Sequence, residues 1–291
     1  MKFLIFGGNG FLGSFLYNNL KKKYSTHRVS RKKGIGIFIK KFNRKNISKI
    51  LSKIEPDIII NTIASTDVDK CELKKKWAIE SNFKTLKNIT DTINHKSRIY
   101  KNYFLINIST DQVYSGKGPH LEKDSKSINY YGYTKLKAEK LLTNMKGCSL
   151  RTNFLGRSEK HKNFNSWIVK SVKSKNKIFG YKNIFFSPIS MDTLLKNIIL
   201  ISKKKIHGVY NLGSKGGISK GEYIKKFLKK IYPKFNDFEL VNYNVPKNSK
   251  LAIRPKDMRL NSIKFAKKYK IKLPNTNFEV NKIIRNFKND L

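Results

Sequence analysis

KFLIFGGNGFLGSFL, residues 2–16, decides the fold. A short apolar run enters glycines at 7, 10 and 13, and a helical pattern follows. Gly7 allows a tight turn, Gly10 lets the backbone approach a pyrophosphate, and Gly13 lets the helix pack closely on the strand. Free N–H groups and the dipole at a helix start favour the phosphates there. The spacing G-x-x-G-x-x-G differs by one residue from the most common dinucleotide fingerprint, but its strand–turn–helix setting is the right one. Gly7, Asn9, Gly10, Phe11, Leu12 and Gly13 are therefore expected to bind a dinucleotide. A tight strand-to-helix turn without a ligand is the plainer alternative.

Working outward, strand-like and helix-like stretches alternate. HRVS (27–30) reads as a strand, and ISKILSKI (47–54) is amphipathic at helical period and stops before Pro56. DIIINTIA (57–64) and YFLINIS (103–109) are continuous apolar runs, as in strands buried on both faces. AIESNFKTLKNITDTI (78–93), between them, reads as one helix. This alternation predicts an α/β fold with a doubly wound parallel sheet over residues 1–155. Residues 156–291 are less regular, with turns marked by Pro188, Pro233, Pro246 and Pro255, and form a smaller second region. The strand GVYNLGS (208–214) is expected to return to the first domain.

The chain has 291 residues, with 63 Lys and Arg against 19 Asp and Glu, a net charge of +44. Such a charge fits an anionic partner. It also fits a lysine-, isoleucine- and asparagine-biased composition, because the cations are spread along the chain and no nucleic-acid-binding signature accompanies them. The second reading is favoured, so no specific nucleic acid is expected. There is no apolar stretch of about 18 residues, so no membrane span is expected. Cys71 and Cys148 suit a reduced, cytoplasmic setting better than a disulfide framework. The five histidines show no ligand spacing, and no metal is expected.

The end of the second strand bears on the cofactor. An NAD site usually carries a carboxylate there for the ribose hydroxyls, yet no Asp or Glu precedes Glu55. Ser30 and Arg31, followed by Lys32, suit a 2′-phosphate instead. NADPH is therefore expected over NADH.

Further along, NYYGYTKLKAEKLL places Tyr131 and Lys135 four residues apart, on one helix face. Tyrosine is a poor acid, with a pKa of about 10, and a nearby ammonium lowers it. Tyr131 can then exchange a proton with a carbonyl oxygen during hydride transfer. A hydroxyl from Ser109 or Thr110, in STDQVYSG (109–116), can hold the same oxygen.

Taken together, FGGNGFLG, PDIIINTIASTDVDKCE, STDQVYSG, YYGYTKLKAE, LRTNFLG and RPKDMRLNS resemble an extended short-chain dehydrogenase/reductase. More narrowly they are similar to the dTDP-4-dehydrorhamnose reductase family of sugar-nucleotide enzymes. The resemblance implies an NAD(P)-binding Rossmann domain and a smaller C-terminal substrate region. It implies NADPH-dependent reduction of the 4-keto group of a nucleotide-linked 6-deoxy sugar, in surface-polysaccharide synthesis. Carried over by position, Thr110, Tyr131 and Lys135 are catalytic, with Tyr131 and Lys135 also touching the cofactor. Ala64 and Thr66 lie near the cofactor, and Asn82 matches a helix asparagine close to the site. Asp111, Asn153, Phe154 and Arg254 are the expected substrate contacts, Arg254 as a phosphate clamp. The chain departs from the family pattern at Lys41-Phe42, at Phe154 and at Leu260-Asn261, which bears on the sugar more than on the chemistry.

Gln112 separates related activities. The similar 4,6-dehydratases typically carry Glu at this position as the base that removes a sugar proton. An amide cannot ionise, so dehydration is disfavoured. A nucleotide-sugar epimerase holding NAD, and a non-catalytic dinucleotide-binding regulatory subunit, remain the alternatives. The expected partner is a nucleotide-sugar substrate, and a homodimer is compatible with the sequence.

Overall fold

The computed structural model describes residues 1–97, 102–244 and 250–289. The first half runs β1 (Lys2–Phe6), α1 (Phe11–Leu20), β2 (Ser25–Ser30), β3 (Ile37–Phe38), α2 (Arg44–Ile54), β4 (Ile58–Asn61), α3 (Val68–Leu73), α4 (Lys75–Ile79), α5 (Thr85–Ser97), β5 (Phe104–Thr110), α6 (Tyr130–Glu139) and β6 (Gly147–Thr152). There follow β7 (Phe154–Leu155), α7 (Phe164–Lys173), β8 (Ile178–Tyr181), β9 (Phe185–Phe186), β10 (Ile189–Ser190), α8 (Met191–Lys204), β11 (Gly208–Leu212), β12 (Ile218–Ser219), α9 (Lys220–Ile231), β13 (Phe238–Val241), β14 (Asp257–Met258), α10 (Ile263–Tyr269) and α11 (Thr276–Asn289).

Seven strands form one parallel sheet in the order β11-β6-β5-β4-β1-β2-β3. The chain builds outward from β1 through β2 to β3, then crosses back to β4 and builds the other way. That reversal opens a crevice beyond the carboxyl ends of β1 and β4, where doubly wound sheets bind ligands. Successive side chains of each strand face opposite sides. Phe3 and Ile5 of β1 join Ile58 and Ile60 of β4 under α1 and α8. Leu4 and Phe6 join Ile59 under α2 and α5. The continuous apolar runs thus supply two cores at once.

The less regular second region has its own core, in which Ile168, Ile178, Phe186, Tyr223, Phe227 and Ile284 are buried. β11 pairs with β6 from Gly208↔Cys148 to Leu212↔Thr152, at the edge of the large sheet. Pro188, Pro233 and Pro255 lie outside strands and helices, while Pro246 lies outside the described residues. Among the described residues, no helix is long and apolar enough to cross a membrane.

Two expected elements differ. β4 ends at Asn61, short of Ala64: the Thr62 N–H and Oγ1 both donate to the Phe6 carbonyl, at 3.0 and 2.9 Å, and the next N–H, of Ile63, turns to Asn61 Oδ1 at 3.3 Å. The stretch 78–93 is not one uniform helix. A π-helical turn, Glu80–Lys84, separates α4 from α5 and carries the buried Asn82. Such turns are inserted where one side chain needs a particular aim.

Candidate active site

The glycine loop is built around backbone contacts that side chains cannot share. Gly7 has φ +85°, and a Cβ added there would lie 2.7 Å from Thr62 Oγ1. On Gly13 a Cβ would lie 2.2 Å from the Gly7 carbonyl oxygen, which cannot yield. α1 begins after Gly10 with no side-chain cap and no acid in its first turn. Its first N–H groups, on Phe11, Leu12 and Gly13, are therefore left to an external anion. The Leu12 side chain itself is buried in the core, and Phe11 packs 6.0 Å from Phe154, so these two residues offer backbone rather than side chain to a ligand.

Over this loop opens a cleft of about 1090 Å³, lined by Gly7, Asn9, Gly10, Ser30, Arg31, Ala64 and Thr66 among others. Its volume is at the large end of cofactor sites. Lys32, Lys40 and Lys41 join Arg31 along the wall. Phosphate-cradling backbone and a cluster of cations together fit a phosphorylated dinucleotide. Gly13→Val is expected to abolish dinucleotide binding, measured as loss of fluorescence transfer to bound NADPH. Unchanged affinity in a folded variant would contradict this account of the loop.

Beyond the cleft, β5 ends at Thr110 and delivers two neighbouring hydroxyls to different places. Ser109 donates to Glu139 inside the fold, so it leaves the site to Thr110. The Thr110 Oγ1 accepts the Gln112 N–H at 3.2 Å, lies 3.3 Å from Asp111 Oδ1, and interacts with the Tyr131 phenol. Tyr131 reaches this point because Asn129 caps α6, its Oδ1 accepting the Gly132 N–H at 2.8 Å. The same asparagine donates to Gln112 Oε1 at 3.1 Å, tying the amide to the start of α6.

Burial pushes the Tyr131 phenol well above its ordinary range, against the Thr110 hydrogen bond, which favours the phenolate. At neutral pH the phenol thus holds its proton. One turn on, Lys135 is fully buried and donates to the Ile108 carbonyl of β5 at 2.6 Å. Burial pulls its pKa down to about 8, partly opposed by Glu139. Asn82 locks the frame: its Oδ1 accepts the Ser65 N–H at 2.7 Å, and its Nδ2 donates to Thr134 Oγ1 of α6 at 2.9 Å. It ties the loop after β4 to the helix carrying Tyr131.

Of the four expected substrate contacts, two are joined by a direct hydrogen bond. Asp111 and Asn153 meet, Asn153 Nδ2 donating to Asp111 Oδ2 at 2.7 Å. Phe154 faces Phe11. Arg254 is held by Asp69, its Nη2 2.8 Å from Oδ2, and is not free to clamp a phosphate without releasing that partner.

The family model RmlD substrate binding domain matches residues 1–289. The chain belongs to the RmlD substrate binding domain family. Within its range of relatives, the chain is 26% identical to the dTDP-4-dehydrorhamnose reductase of Escherichia coli strain K12, over 83% of each chain. Among solved structures it is similar to a hypothetical dTDP-4-dehydrorhamnose reductase of Sulfolobus tokodaii, with 28% identity, TM-score 0.77, and 92% and 94% of the two chains covered. A dTDP-4-dehydrorhamnose reductase of Bacillus anthracis in complex with NADP shares the fold, with TM-score 0.80 at 22% identity and 98% of each chain covered.

This RmlD-family chain also holds residues that the motifs left unremarked. Lys220, at the start of α9, carries an ammonium electrostatically coupled to Asp111. The Thr152 hydroxyl, buried at the end of β6 opposite Thr110, has no hydrogen-bond partner among the described residues. Lys220 follows the strand pair β9–β12, whose two-residue strands give no periodicity to read. Only its place in a capping box, Ser219 to Glu222, was visible locally.

Proposed function

We propose that the protein is an NADPH-dependent reductase acting on the 4-keto group of a nucleotide-linked 6-deoxy sugar, as its dTDP-4-dehydrorhamnose reductase relatives are named. The observation that carries this reading is the Thr110–Tyr131 hydroxyl pair, whose helix α6 is tied by Asn82 to Ser65 in the wall of the glycine-loop cleft. Bound in that cleft, a reduced nicotinamide supplies the hydride for C4 of the sugar. Thr110 and Tyr131 hold the carbonyl oxygen, and Tyr131 gives it a proton as the alcohol forms. The Lys135 ammonium favours the phenolate left behind. Gln112 has no carboxylate to remove a sugar proton, which supports reduction over dehydration. Asp111, Asn153 and, after release from Asp69, Arg254 face the substrate in this reading.

The preference for NADPH rests on the cations Arg31, Lys32, Lys40 and Lys41, and on the NADP bound by the Bacillus anthracis relative. Arg31→Ala should raise KM for NADPH by about tenfold, one charged hydrogen-bonding partner at an exposed site. The KM for NADH should hardly change. A wild-type KM lower for NADH than for NADPH would overturn the preference. Two buried thiols suit a reducing compartment, so we place the reaction in the cytoplasm.

The direct test is NADPH oxidation with dTDP-4-dehydrorhamnose and a panel of other 4-keto nucleotide sugars. Turnover with at least one is expected. A folded, cofactor-loaded protein that oxidises NADPH with none of them would sink the proposal, and tightly held NAD in the purified protein would favour epimerisation instead.

A further inference from the structure

Among the described residues that line the glycine-loop cleft, His161 alone lies beyond Asn88. It belongs to the second region, in the loop between β7 and α7, yet it lines the same cleft as Gly7, Asn9 and Gly10. Its ring stands against that of Phe11, the first residue of α1, with centroids 6.4 Å apart and planes inclined at 43°.

The backbone around His161 fixes this position. The His161 N–H donates to Ser158 Oγ at 3.0 Å. Its carbonyl accepts Asn163 Nδ2 at 3.2 Å and Ser166 Oγ at 3.5 Å. Asn163 and Ser166 form the capping box of α7, and α7 is anchored in the second core through Ile168. The imidazole takes no part in these bonds. Among the described residues, neither of its ring nitrogens makes a hydrogen bond. Either neutral tautomer carries an N–H donor. That donor faces a cleft whose floor is a helix start with N–H groups open to an anion.

A phosphorylated dinucleotide offers two kinds of phosphate. Arg31 and Lys32 follow β2 and suit the 2′-phosphate, whereas the glycine loop and the first turn of α1 take the pyrophosphate. His161 packs on the second of these. We propose that His161 is a cofactor-binding residue, its ring N–H donating to a pyrophosphate oxygen of the dinucleotide, so that the second region helps to hold the cofactor. This rests on reading the cleft as the dinucleotide site of the reductase.

The test compares three ligands by calorimetry on cofactor-free protein: NADP, 2′-phospho-ADP-ribose, which lacks the nicotinamide, and 2′-AMP, which lacks the pyrophosphate as well. His161→Phe keeps a ring against Phe11 and removes the donor. It should lose about tenfold on NADP and on 2′-phospho-ADP-ribose, as for a hydrogen bond to a charged group, and little on 2′-AMP. Arg31→Ala should instead weaken all three ligands, since each carries the 2′-phosphate. His161→Gln, which keeps an N–H donor, should lose less than His161→Phe; the reverse order would overturn the proposal. If His161→Phe does not fold, His161→Ala carries the same comparison. Loss on NADP alone would place the ring on the nicotinamide half, and equal loss on all three ligands would make it a packing residue. Either result, or no loss at all, overturns the proposal. Wild type that binds NADP but reduces no 4-keto sugar overturns the reductase reading, and the ligand series still decides on His161. Wild type that binds none of the three overturns both.

Discussion

Tyr131→Phe should lower kcat for ketone reduction by roughly a thousandfold, within the range of a positioned general acid. NADPH affinity should change little. The phenol is buried at the start of α6, its ring packed with Cys71 and Ala78, so removal of one oxygen leaves the packing intact. What disappears is the proton. Single-turnover kinetics and cofactor titration on the same preparation separate the two effects. Retained turnover would show that another group protonates the substrate. Tyr130 is the nearest rival phenol; it packs against Tyr133 on the same helix.

The pH dependence follows from Lys135. Burial holds its pKa at about 8, below an ordinary value of about 10.4. The Lys135 ammonium is therefore present below about pH 8 and lost above it, and if it assists Tyr131 as proposed, reductive turnover should fall as pH rises through that value. Folding does not explain such a fall. Between the folded and the unfolded pKa the folded chain binds fewer protons, so this group makes the protein more stable as pH rises across that window. Lys135→Met should be slower at all pH values and lack this limb of the profile. An identical limb in the variant would assign it to another group.

How much of this could be read from the sequence depended on how local each cause is. The glycine loop is local, since the turn, the close approach and the helix start lie within residues 7–13. The continuous runs at β4 and β5 announce burial on both faces for the same reason. The choice between Ser109 and Thr110 was not local. Strand alternation sends adjacent hydroxyls to opposite sides, and only the position of Glu139, thirty residues on, settles which one enters the fold. Arg254 was ambiguous because its partner, Asp69, lies 185 residues away. The π-helical turn at Asn82 reads as ordinary helix because apolar spacing does not register one inserted residue. Lys220 was hidden among 63 cations, and only the three-dimensional neighbourhood of Phe164, Phe186 and Asp111 distinguishes it.

The second large effect concerns stability. Glu139 and Arg151 form a buried pair, their side chains 3% and 4% exposed, with Arg151 Nη2 2.6 Å from Glu139 Oε2 and Nε 3.0 Å from the same oxygen. The carboxylate also accepts the Ser109 hydroxyl, and Arg151 Nη1 donates to Tyr114 Oη and to the Glu122 carbonyl, both at 2.7 Å. Tyr114 passes the chain on to Asn211 Oδ1 at 2.6 Å. One network thus links β5, α6, β6 and the returning β11, directly behind the Thr110–Tyr131 pair. Replacing a buried ion pair by apolar residues of similar volume is often nearly neutral, whereas removing one partner leaves a bare buried charge. Glu139→Leu should therefore cost about 3–5 kcal/mol in urea unfolding, or roughly 10 °C in Tm. The double variant Glu139→Leu with Arg151→Met should recover part of that loss, because the uncompensated guanidinium is gone. Recovery in the double variant, with kcat still reduced, would assign the network a role in aiming α6 as well as in holding it. A single variant as stable as wild type would mean that Tyr114 and the Glu122 carbonyl suffice to satisfy Arg151, and that the pair adds little to the fold.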